Sequence, residues 1–118
     1  MKTKNEGKKQ LSEILNRFSY RAEWSEEDGV FIAFALELPS VKAHSSTPEG
    51  AVKEAKTPIK MALEAMLENG EKLPEPISTQ SYKGNLSVRT TPEKHKEIAI
   101  RAAEAHVSIN QYILSKIG

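Results

Sequence analysis

Asn85, Ser87 and Arg89 occupy alternate positions of the short run Asn85-Leu86-Ser87-Val88-Arg89-Thr90. Successive strand side chains point to opposite faces, so these three share one face and Leu86 and Val88 take the other. The polar set has the chemistry to read base edges in a major groove. Arginine bonds guanine bidentately and asparagine bonds adenine, and a two-stranded ribbon fits that groove. Six alternating residues alone mean little, because the polar face of a strand is more often just solvated.

Other candidate chemistry is thinner. The chain has no cysteine, which excludes disulfides, thiolate metal sites and cysteine nucleophiles. A two-metal nuclease needs converging carboxylates. The candidates are Glu23, Asp28, Glu37 and Glu54, but Asp28 falls in a turn and Glu54 in mid-helix, so no catalytic residue is expected. His44, His95 and His106 lie on three different elements without metal-ligand spacing. No metal or other cofactor is expected. Trp24, on the apolar side of its strand, reads as core packing. Lys2, Lys4, Lys8 and Lys9 read as a solvated tail.

The elements after the alternating run sharpen its meaning. Thr91-Pro92-Glu93 is a helix start with Thr91 as N-cap and Pro92 at the first helical position. Ile98, Ala99, Ala102 and Ala103 stripe that helix. Ser108 caps a last helix in which Ile109, Tyr112, Ile113 and Ile117 face inward. One strand and two short helices, about 35 residues, are too few to bury a core alone. Antiparallel pairing of two copies solves this. The strands form a ribbon, and the helices share a core of Leu86, Val88, Ile98, Ala102, Ile109, Tyr112 and Ile113. The last helix then offers the N–H groups of Ser108, Ile109 and Asn110 to a phosphate, and Lys83 and Lys94 add charge contacts. Residues 83–118 resemble the ribbon-helix-helix superfamily, which implies a DNA-binding homodimer.

Upstream, residues 1–7 read as unstructured. Leu11, Ile14, Leu15 and Phe18 recur at helical spacing and give a short amphipathic helix, which must dock or fray. Ser19 to Ser25 alternates as a half-buried strand, and Ser25 to Gly29 is a polar turn. Val30 to Leu36 is apolar on both faces, as a central strand would be. Pro39 breaks the run, and Val41 to Ser45 forms a third strand. Thr47-Pro48-Glu49 starts a helix striped by Val52, Ala55, Ile59, Ala62, Leu63 and Met66, ended by Gly70. Pro58 inside it predicts a kink or a split, at a cost of about 3 kcal/mol if uncompensated. Leu73-Pro74-Glu75-Pro76 cannot be helical.

The fold class is therefore α+β. A 1–17 extension carries the short helix, and residues 18–70 form a small β-β-β-α domain. Residues 71–82 are a Pro-containing linker, and residues 83–118 form the DNA-binding domain. Basic and acidic side chains number five and two over 1–17, six and eleven over 18–81, and six and three over 82–118. An acidic middle beside a basic end points to two different partners. No apolar run approaches a membrane span and the basic N-terminus lacks an apolar core, so the expected location is the cytoplasm.

Residues 18–118 resemble the HicB antitoxin family in its version with a C-terminal ribbon-helix-helix domain. The carriers are Tyr20 and Trp24, Ser25-Glu26-Glu27-Asp28-Gly29, Ala33 with Glu37-Leu38-Pro39-Ser40, and Thr47-Pro48-Glu49 with Ala51. They continue with Gly70-Glu71, Pro74-Glu75-Pro76, Tyr82, Gly84 and the series from Val88 to Lys116. The resemblance implies a truncated ribonuclease H-like first domain that covers a small HicA-type toxin, an mRNA-cleaving RNase. It also implies repression of the chain's own operon through operator DNA. Gly50 stands where an acidic residue is expected, and Pro58 departs from the pattern. The alternative is a stand-alone regulator whose first domain binds another protein or a ligand.

Overall fold

The computed structural model describes residues 4–118. It is α+β, with one three-stranded antiparallel sheet and four helices. The chain divides into two compact units, residues 1–81 and 82–118.

The first unit runs α1 (Lys4–Arg17), β1 (Tyr20–Ser25), β2 (Val30–Ala35), β3 (Leu38–Ser45) and α2 (Pro48–Glu68). The sheet order is β1-β2-β3. The doubly apolar run is therefore the central strand, as its pattern required. Its Ala33 and Ala35, with Ala51 and Ala55 of α2, have no exposed surface. Four methyl groups at one contact let the helix lie close on the sheet. Ile59 and Leu63, also wholly buried, fill the next turns of the same helix face.

Helix α1 docks instead of fraying: Leu11, Leu15 and Phe18 join the core. It also begins earlier than the sequence implied. Residues 4–7, expected to be unstructured, are helical, while residues 1–3 lie outside the described residues. The first unit thus includes the 1–17 segment. Its 11 basic and 13 acidic side chains give a net charge of −2, less acidic than the −5 of residues 18–81 alone. The Tyr20 hydroxyl donates to the Leu15 carbonyl at 2.7 Å, tying β1 to α1. Burial, and then the nearby Glu37 carboxylate, raise the Tyr20 pKa.

Three expectations are corrected. Pro39 does not interrupt the third strand, which starts at Leu38. The strand lies at the sheet's edge, where a missing N–H costs little, and its register with β2 shifts between Ala33 and Ala35. Pro58 does not split α2, which is continuous from Pro48 to Glu68. Trp24 is not core: it is 50% exposed, stacks edge-on against Phe31 at 5.1 Å and donates its indole N–H to Glu26.

The ends of α2 follow local chemistry. Thr47 Oγ1 accepts from Gly50 N at 3.0 Å. A Cβ on Gly50 would fall 2.5 Å from Ser45 Oγ and 2.8 Å from Thr47 Oγ1, which accounts for the missing acidic residue there. At the other end, Gly70 takes φ +71° while its N–H bonds Leu67 O and that of Glu71 bonds Met66 O. This is a Schellman cap.

The second unit holds α3 (Pro92–Glu104) and α4 (Ile109–Ile117). Among the described residues no helix is long and apolar enough to cross a membrane. The buried stripe of α2 sets one expectation. Ile59→Ala should destabilise the first unit by about 2–5 kcal/mol, through lost transfer energy and the cavity left behind. Urea unfolding followed by circular dichroism measures it.

Candidate nucleic-acid interface

The second unit is organised by its helix ends. Thr91 caps α3, accepting from Lys94 N at 3.1 Å. At the far end His106 sits at φ 58°, the one non-glycine residue with positive φ among the described residues. Its N–H bonds Ala103 O, and the next N–H, of Val107, bonds Ala102 O. This is again a Schellman cap, here with histidine in the position that glycine fills most easily. The tight reversal brings α4 back against α3.

Ser108 then opens α4 with a capping box. Its hydroxyl accepts from Gln111 N at 3.0 Å, and its own N–H donates to Gln111 Oε1 at 3.1 Å. The Ser108 N–H, proposed from sequence as a phosphate donor, is therefore already paired. The backbone donors of Ile109 and Asn110 remain, because the first N–H groups of a helix have no intrahelical acceptor. The Ser-x-x-Gln spacing was legible in the sequence as a capping box.

Lys83, Asn85, Ser87 and Arg89 are all exposed. Residues 85–90 pair with no strand in the single chain. Leu86 and Val88 are 84% and 75% exposed, so the apolar side of the run packs on neither helix. Ile98, Ile109, Tyr112 and Ile113 are half-buried, and Ala102 is the only buried residue of this unit. Ile117, expected to face inward, is exposed. Lys94 lies 3.4 Å from Glu97, which also meets Arg101 at 3.2 Å. These are exposed pairs along α3, worth a few tenths of a kcal/mol each.

The carboxylates weighed for metal chemistry stay apart. Glu23 and Glu54 are exposed on β1 and α2. Asp28 closes its turn with Ser25, and Glu37 accepts main-chain N–H groups. His44 is on β3, His95 on α3 and His106 in the turn after α3. No group of three or more potential metal ligands occurs among the described residues.

These features define a two-unit α+β protein whose second unit carries an exposed apolar-polar run ahead of two capped helices. Residues 67–117 match the model of the HicB family. The match bears out the resemblance and supports identification of the chain as a HicB-family antitoxin. No curated protein and no solved structure matches the chain significantly.

The caps yield two expectations of opposite sign. Ser108→Ala should destabilise the second unit by about 1 kcal/mol, since it removes one arm of the box. His106→Gly should stabilise it by about 0.5–1 kcal/mol, by relieving the left-handed backbone. Thermal unfolding of both variants under one protein concentration checks them.

Proposed function

We propose that the chain is an antitoxin-repressor. Its first unit holds a small HicA-type toxin, and two copies of its second unit pair through residues 85–90 to bind operator DNA. The observation that carries this reading is the alternation at those residues. Leu86 and Val88 stand out in solvent on one side, and Asn85, Ser87 and Arg89 are exposed beside them. Large exposed apolar surface marks an interaction site.

A second copy supplies the missing partner. Antiparallel pairing satisfies the backbone of both runs and turns Leu86 and Val88 onto the half-buried faces of α3 and α4. Leu86, Val88, Ile98, Ile109, Tyr112 and Ile113 then make a shared core of ribbon-helix-helix type. The opposite face carries two copies of Asn85, Ser87 and Arg89 toward base edges, with Lys83 and the amides of Ile109 and Asn110 toward phosphates. The net charge of +3 over residues 82–118 suits a polyanion.

For the first unit the reading rests on the family resemblance. Its β-β-β-α order supports the truncated ribonuclease H-like domain that the resemblance implies, and no catalysis is assigned to it. The family match begins at Leu67, which keeps a second reading in view: a repressor whose first unit holds another protein or a small ligand. Co-expression with the reading frame beside the gene separates the two. Co-purification of a small toxin favours the antitoxin, and its absence favours the stand-alone regulator.

Arg89→Ala should weaken operator binding by about 1–3 kcal/mol while leaving the dimer intact. Gel-shift titration at fixed salt, with sedimentation for the dimer, reads both. Unchanged affinity would remove this face from the interface.

A further inference from the structure

Residues 71–81 have the composition of a free linker, yet the structure fastens them to the first unit. Glu37 Oε1 and Oε2 accept from Ser19 N at 3.0 and 3.2 Å, and Oε2 also accepts from Ile77 N at 2.9 Å. Ser78 Oγ donates to the Arg17 carbonyl at 2.6 Å, and Leu73 packs against the core. Glu37 belongs to the two-residue turn Leu36–Glu37 between β2 and β3, a turn whose own geometry has no need of a carboxylate. Its partners lie 18 and 40 residues away in the chain. Hydrogen bonds to an ionised acceptor are about twice as strong as neutral ones.

We infer that Glu37 is the clasp of a strap, residues 73–78, and that fastening or releasing this strap sets the length of free chain between the two units. Its regulatory use rests on the reading in which the two units hold different partners. Fastened, the free chain runs from Ser78 to Asn85 and spans at most roughly 25 Å; released back to Gly70, it spans roughly 50 Å. Effective concentration falls as about the −3/2 power of tether length, so doubling the free chain lowers it roughly threefold. A partner group on the first unit that takes the Glu37 carboxylate, whether a cation or an amide, displaces Ile77 and lengthens the tether.

The test uses the full-length protein without any partner. The natural chain has no cysteine, so Glu64→Cys and Lys96→Cys, both at exposed positions on α2 and α3, accept a pair of spin labels. In Glu37→Ala, the Ile77 amide should exchange at least tenfold faster. Trypsin should cut sooner after Lys72, and the label distance distribution should broaden. The amides of β2 should stay protected. Glu37→Gln, which keeps one carbonyl acceptor, should fall between. Unchanged Ile77 exchange with β2 intact overturns the clasp, and faster exchange with an unchanged distance distribution overturns the tether. If Glu37→Ala fails to fold, Ser78→Ala decides, with cleavage after Lys72 expected about threefold faster and an unchanged rate counting against the strap. None of these readouts involves DNA or toxin, so their failure is distinct from failure of the proposed function.

Discussion

A unit of 37 residues that buries only Ala102 has far less interior than a stable domain needs. Everything proposed for the second unit follows from that shortfall. Its helices are capped at both ends of the turn that joins them, so local hydrogen bonding is well satisfied, but capping does not remove apolar surface from water. Leu86, Val88, Leu114 and Ile117 remain exposed. A partner must cover them. A second copy is the economical choice, because one run then provides both the missing strand and the missing core.

The first unit solves the same problem within one chain. Alanines on β2 and α2 bring helix and sheet together, and Ile59, Leu63 and the α1 residues close the rest. The contrast has a functional reading: one unit is complete and able to hold a partner as a rigid body, while the other is completed only by association. The Glu37 contacts extend the complete unit to Ser78, so the stretch of chain free of either unit is shorter than composition implies.

Much of the first unit was legible because local rules decided it. Hydrophobic periodicity gave α1, the three strands and α2. Thr-Pro-Glu starts and Gly70 gave the helix ends, since cap chemistry acts within a few residues. The misreadings involve position in the tertiary structure. Pro39 breaks a central strand but is tolerated at an edge, and the sequence does not say which strand is at the edge. Trp24 has the right parity for burial, but it lies beside the polar turn where cover runs out. Glu37 was weighed as a metal ligand because its partners, Ser19 and Ile77, are distant in sequence. At the candidate interface, residue types and parity were readable. The pairing of the Ser108 amide was overlooked, although its Ser-x-x-Gln signal was present.

The placement of Pro39 bears on how the molecule behaves when crowded. A sheet edge exposes unused donors and acceptors that invite foreign strands. On β3 that edge carries a residue with no donor and an irregular register, with Lys42 charged beside it. On β1, Arg21 and Glu23 place charge along the other edge. Residues 85–90 carry no proline and only one charge, Arg89. The capacity for intermolecular strand addition is thus suppressed where it would produce aggregates and left open in the one segment where it completes a fold.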